Sequence, residues 1–292
     1  MGFIMNNYHT HTYRCHHASG TEKEMVEAAI SEGFQEIGIS DHVPLPYFRW
    51  HLLKAIPYIF KSKRSVLSWL KTFVLNGPGM RMPYSDKKQY LAELENLKQQ
   101  YHGHIQIYKG FECEYFKTYL PYYRQLLERK EVDYLIFGHH YHQYSVSALY
   151  YGRAKLSKKD VSNYVDEAIE AMQTGIFRYF AHPDLFFIGY HQWDSFVENE
   201  IKRMLCVAKQ NDIILEINAG GLSRENVMIN DEKIPPYPNP YFWQMVKEMD
   251  CKVMIGLDAH TPSQLDQLMY QRLVKFADKY GLKPLESLGL GK

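Results

Sequence analysis

With 292 residues, 46% of them hydrophobic and 23% charged, the chain can bury a large core, which excludes a disordered or low-complexity protein. A formal net charge of +1 excludes the strong field with which nucleic-acid binders and anionic-membrane binders gather their partners. Cys15, Cys113, Cys206 and Cys251 form neither a CxxC pair nor a disulfide framework, the N-terminus lacks a secretory pattern, and no run nears the roughly 18 apolar residues of a membrane span, so a soluble cytoplasmic protein is expected.

Strand-like runs recur with helical stretches between most of them. Ile4–His11 predicts the first strand. Thr21–Gly33 predicts a helix, with Met25, Ala28, Ala29 and Ile30 on one side and Gly33 as its stop. Further strands are predicted over Phe34–His42, Ile105–Glu114, Val132–His140, Phe177–Asp184, Asp212–Gly220 and Cys251–His260. Helices are predicted over Asp160–Gly175, Asp194–Gln210, Pro240–Met249 and Leu265–Tyr280. Alternation of this kind implies right-handed βαβ units and a parallel sheet. Seven strands without a Gly-rich phosphate fingerprint after the first favour a closed barrel over an open, doubly wound sheet.

Residues 43–103 break the rhythm, because they far exceed a short connection plus one helix. From Val43 to Lys88 this helical insert holds nine Lys or Arg and one acid, Asp86. It reads either as a lid or basic rim for an anionic substrate, or as a solvated helical hairpin with a charged outer face.

The chemistry lies in how the strands end. The first ends in His9 and His11, the second in Asp41-His42, the third in Glu112 and Glu114, and the fourth in His139-His140. The fifth ends in His182-Pro183-Asp184, the sixth near Glu216 and Asn218, and the seventh in Asp258 and His260. In a parallel barrel these ends converge on one face, where such folds build their sites. Side chains two apart on a strand share a face, so His9 with His11, Glu112 with Glu114, and Asp258 with His260 can enter one mouth. Pro183 is expected to hold His182 extended and to stop its strand. Burying this many polar groups is costly unless divalent cations compensate, and neutral imidazole and ionised carboxylate are their natural ligands.

Taken together, His9-Thr-His11, Ile39-Ser-Asp41-His42, Gly110-Phe-Glu112, His140, His182-Pro-Asp184 and Gly256-Leu-Asp258-Ala-His260 resemble the PHP (polymerase and histidinol phosphatase) family, in family order and over nearly the whole chain. The resemblance implies an α/β fold, a distorted (βα)7 TIM-like barrel with a long helical insert after strand 2. Residues 1–292 would then form a single PHP-type domain, with 43–103 an insert or lid within it. It also implies two or three divalent metal ions, of Zn, Fe or Mn given the imidazole-rich set. By position, His9, His11 and Asp258 would bind the first ion, Glu112 would bridge two, and His140 and His182 would hold the second. His17 would join His42 and His260 at a third. His16 stands as the alternative to His17, and His139 as the alternative to His140. The remaining histidines, His51, His102, His104, His142 and His191, are assigned to surface or local hydrogen bonding.

Within the family, Gly110-Phe-Glu-Cys-Glu-Tyr115 and Leu215-Glu-Ile-Asn-Ala-Gly-Gly-Leu-Ser-Arg-Glu225 are similar to segments of the single-domain histidinol-phosphate phosphatases. That similarity implies a phosphomonoesterase that takes a small phosphorylated substrate, L-histidinol phosphate, in histidine biosynthesis, and neither nucleic acid nor membrane. Metal ions would acidify a water into the attacking hydroxide. Arg224 is the candidate clamp on the phosphate. Asp184 is the candidate acid for the leaving alcohol, or an orienting partner of a ligand, and Asp41 carries the same ambiguity. Glu114 either receives the substrate ammonium or supports the metal shell. Two other readings remain open at the level of sequence: a phosphoesterase for nucleotides or other small esters, and a non-catalytic, metal-stabilised scaffold.

Overall fold

The computed structural model describes residues 4–46, 81–142, 150–152 and 155–290. In chain order its elements are β1 (Asn6–Asn7), α1 (Glu22–Ser31), β2 (Glu36–Ile39), α2 (Lys87–Gln100), β3 (Gln106–Cys113), α3 (Leu120–Glu128), β4 (Tyr134–Gly138) and α4 (Lys158–Gln173). There follow β5 (Tyr179–Ala181), α5 (Ser195–Gln210), β6 (Ile214–Asn218), β7 (Val227–Ile229), β8 (Glu232–Ile234), α6 (Pro240–Glu248), β9 (Val253–Gly256) and α7 (Gln267–Lys279). Local chemistry sets the helix starts. Thr21 and Glu24 form a capping box for α1, as Ser157 and Asp160 do for α4. Asp194, Asn239 and Asp266 accept backbone N–H groups at the starts of α5, α6 and α7.

Seven strands pair in parallel in the order β1-β2-β3-β4-β5-β6-β9, while β7 and β8 form a separate antiparallel hairpin. At the upper rim the two ends of the sheet meet. The His11 N–H donates to Ala259 O at 2.8 Å, and the Ala259 N–H donates to His9 O at 3.2 Å. The result is a nearly closed, TIM-like barrel with helices outside, as expected. Alternation along the strands sorts the core into two parts. Leu135 and Phe137 of β4 face the helices, whereas Tyr134 and Ile136 face inward with Tyr8, Tyr108, Tyr179, Ile214 and Met254.

The lower end of the barrel is covered by the segment after α7. Leu285 N–H donates to Val253 O at 2.8 Å, Asn6 Nδ2 to Glu286 O at 2.6 Å, and Arg178 Nη2 to Leu288 O at 3.0 Å. Leu288 packs against the inward tyrosines.

Three differences from the sequence reading stand out. The strands are shorter than predicted, because the chain turns into the mouth before the last polar residues. His182 does not stay extended: its φ of 36° is left-handed, as is the 52° of Asp258. The helix α3 and the β7–β8 hairpin were not anticipated. The rim or lid reading of 43–103 falls mainly on residues 47–80, outside the described residues, and so does His51. Among the described residues, no helix is long and apolar enough to cross a membrane.

Candidate metal centre

Glu112 is the hub. It stands on β3, points into the barrel and is 1% exposed. The room it occupies exists because Gly138 on β4 has no side chain: a Cβ there would lie 2.1 Å from Glu112 Oε1. Around Oε2 lie His9 Nε2 at 3.6 Å, His11 Nε2 at 3.5 Å and His42 Nδ1 at 3.0 Å. Around Oε1 lie His140 Nε2 at 3.5 Å and His182 Nε2 at 3.3 Å.

Asp258 forms a second focus. Its Oδ1 is 3.4 Å from His9 Nε2, 3.3 Å from His11 Nε2 and 3.6 Å from His260 Nδ1. His17 completes the set, with Nε2 3.0 Å from His260 Nε2 and its ring centroid 5.3 Å from that of His42. The structure therefore gathers His9, His11, His17, His42, Glu112, His140, His182, Asp258 and His260 at one mouth.

The structure places the two members of each pair left open by the sequence differently. His16 and His17 are both exposed, and of the two His17 lies against the cluster, its Nε2 3.0 Å from His260 Nε2. Alternation turns His139 outward, where Nε2 meets Tyr164 O at 3.2 Å and Glu167 at 3.4 Å, while His140 turns inward.

This donor set fits divalent cations. Four triads have ligand atoms within 4.8 Å of one another: His9–His182–Asp258, His9–His11–Glu112, His11–Asp258–His260 and His42–Glu112–His140. Both oxygens of Glu112, and Nδ1 of His11, His42, His140 and His182, are buried without a well-formed hydrogen bond among the described residues. Natural interiors rarely leave so many polar atoms unsatisfied in one place. Imidazole nitrogens also converge, with His9 Nε2 and His11 Nε2 only 3.1 Å apart. The mixture of nitrogen and carboxylate donors suits zinc, iron or manganese better than magnesium. A fifth group, His11–Cys15–Asp41, is already committed internally. Cys15 Sγ donates to Thr12 O, and Asp41 accepts Thr12 N at 2.8 Å and Thr12 Oγ1 at 2.6 Å.

Electrostatics inside the cluster are divided. Burial favours the neutral acid of Glu112, but the imidazoles of His140, His42 and His9 outweigh it and hold the carboxyl well below its ordinary range. Burial, helped by the neighbouring His260, pushes His11 down to about 3, which leaves a neutral imidazole with a free lone pair.

The two expected catalytic residues lie differently. Arg224 sits at the rim, where its Nε donates to Tyr237 OH at 3.2 Å, and the Tyr237 ring lies 6.2 Å from that of His182. The carboxylate of Asp184 is fully buried against α6, accepting Asn239 N at 2.7 Å and Trp243 Nε1 at 2.9 Å through Oδ2. Burial raises its carboxyl to about 7 against those two donors.

Sequence reasoning assigned no role to four residues that frame the cluster. Arg81 pairs with Glu114, whose Oε1 is 3.4 Å from His140 Nδ1. Glu216 meets His9 Nδ1 at 3.0 Å, and Asn218 reaches both Glu216 and Asp258. Tyr237 holds Arg224. Position at a strand end was a usable signal for Glu216 and Asn218; Arg81 and Tyr237 carried none.

Known proteins resemble this chain over most of its length. A family profile described as the PHP domain matches residues 7–220. A protein of Deinococcus radiodurans named probable histidinol-phosphatase is 23% identical over 265 residues, covering 88% of this chain and 86% of its own. A Schizosaccharomyces pombe protein of the same name is 22% identical over 305 residues, covering 95% and 87%. The crystal structure of histidinol phosphate phosphatase from Lactococcus lactis subsp. lactis, complexed with zinc, L-histidinol and phosphate, superposes with a TM-score of 0.69 at 17% identity, covering 97% of this chain and 96% of its own. At that identity the superposition speaks for the fold alone. The family match spans well over half of the chain, and the chain belongs to the PHP domain family.

Proposed function

We propose that this chain is a metal-dependent phosphomonoesterase that hydrolyses L-histidinol phosphate to L-histidinol and phosphate. The observation that carries the hydrolytic reading is Glu112, a buried carboxylate ringed by five imidazoles at the open end of a barrel. The substrate is proposed from similarity over most of both chains to two proteins named probable histidinol-phosphatase.

His9, His11 and Asp258 would hold one ion, His140 and His182 a second, and His17, His42 and His260 a third, with Glu112 shared. Bound ions of this kind supply an acidified water as nucleophile and neutralise charge on the phosphate. The chain's own residues do the rest. Arg224 keeps its Nε on Tyr237, which leaves the far side of the guanidinium for phosphate oxygens. Tyr237 is buried beneath it and fixes its reach. Asp184 braces α6 and the turn after β5; its hydrogen bonds support that role above proton delivery to the leaving alcohol. Arg81 ties down Glu114, so Glu114 supports His140 and is not free to receive the substrate ammonium. Cys15, the cysteine nearest the mouth, is no nucleophile: burial pushes its thiol up to about 12, and its Sγ donates to Thr12 O.

The test is a substrate panel with metal-reconstituted protein. Phosphate release should favour L-histidinol phosphate over nucleoside monophosphates and sugar phosphates. A preference for nucleotides would replace the substrate and keep the chemistry, whereas no release from any ester would end the proposal.

A further inference from the structure

Glu216 lies on β6 with its side chain completely buried, and no Lys or Arg neutralises it among the described residues. Its carboxylate is committed on several sides. Oε1 is 3.0 Å and Oε2 3.2 Å from His9 Nδ1. Oε2 also accepts the backbone N–H of His182 at 3.1 Å and Nδ2 of Asn218 at 2.8 Å. Space for it comes from β9, where a Cβ on Gly256 would lie 1.8 Å from Glu216 Oε1. Asn218 extends the connection, with Nδ2 3.4 Å from Asp258 Oδ2 and Oδ1 accepting Gly220 N–H at 2.7 Å.

We infer that Glu216 is a positioning residue for the metal centre: it fixes the tautomer and ring orientation of His9, pins the left-handed backbone of His182, and through Asn218 steadies Asp258. The inference rests on the metal-centre reading above. An imidazole has two nitrogens, and only the unprotonated one binds a cation. With Nδ1–H donating to Glu216, the lone pair of His9 sits on Nε2, which faces Glu112 and Asp258. A carboxylate behind a ligating histidine also raises its basicity, and such partners typically contribute 10–100-fold to metal affinity. His182 and Asp258 both have positive φ, a conformation costly for residues with a Cβ, so external hydrogen bonds are needed to hold their donor atoms in place. One buried carboxylate thus ties together residues just after β1, β5 and β9.

The experiment is zinc titration of the metal-stripped full chain, with E216Q, N218A and H9A compared with the parent. E216Q keeps the volume of the side chain and removes its charge. It should fold, by circular dichroism, and bind zinc about 10–100-fold more weakly at its tightest site. N218A, which leaves the carboxylate in place but frees it to swing, should lose several-fold, and it decides the matter if E216Q fails to fold. A purely structural role would lower the melting temperature of the metal-free protein and leave zinc affinity alone. Zinc affinity within twofold of the parent in the folded variants overturns the inference. H9A separates the two levels: if it binds zinc like the parent, the metal-centre reading itself falls; if it loses zinc while E216Q does not, only the role of Glu216 falls.

Discussion

The guanidinium of Arg81 closes on the carboxylate of Glu114 where both side chains are all but sealed from solvent, at 2% and 1% exposure. Breaking one side of a buried pair leaves a stranded charge, at a cost of about 3–5 kcal/mol. R81M should lose stability on that scale in urea unfolding, and R81M/E114Q should recover most of it. If the double variant is as unstable as the single one, Arg81 matters through packing instead of charge.

Metal removal should silence the protein reversibly. Treatment with a chelator should abolish phosphate release, and zinc, manganese or iron should restore it. H9A and H182A should each lower kcat by about a hundredfold or more, since even the outer partners of metal ligands contribute 10–100-fold. Elemental analysis of the same samples should give fewer ions per chain. Activity retained in both variants would remove the site.

Arg224 predicts a defect in substrate capture. Charge-assisted hydrogen bonds contribute about 1.5–3 kcal/mol, so R224A should lower kcat/KM by roughly 10–100-fold and weaken inhibition by inorganic phosphate in parallel. Y237F, which releases Nε, should show the same pattern more mildly. A fall in kcat alone, with phosphate inhibition unchanged, would count against a clamp.

Glu167, which touches His139 and His142 on either side of the proposed ligand His140, predicts a pH dependence of stability. Burial opposes its charge, but His142 at 2.9 Å, the charges of His139 and His142, and the Tyr151 hydroxyl at 3.0 Å outweigh it and depress its carboxyl. A depressed native value means that the unfolded chain binds the proton first, so the contribution is present above the unfolded value of about 4.3 and fades as pH falls through the native one. E167Q should therefore be less stable than the parent at pH 7, by about 1–3 kcal/mol, with the gap narrowing below pH 4. A gap that stays constant on acidification would show that the loss is steric.

The barrel and its mouth were legible for a physical reason. Period-two alternation fixes which face His9 and His11, or Asp258 and His260, share, and parallel strands send their ends to one rim. The same rule separates His140 from His139. What escaped depends on partners that no local pattern announces. Glu216 meets His9 across 207 positions of sequence, and Arg81 enters from within the insert. Pro183 misled, because the general bias toward extended backbone yields where tertiary bonds hold His182 in the left-handed region. The β7–β8 hairpin did leave a trace, since Asn230-Asp231, after the apolar Val227-Met228-Ile229, supplies the two positive φ values such a turn requires.

Among the described residues, Leu288 and the inward tyrosine rings fill the barrel beneath the histidine cluster. On the proposed function, ester and water would enter, and alcohol and phosphate would depart, across the rim where the cluster lies. A lingering phosphate would then obstruct the next arrival, whatever the speed of bond cleavage.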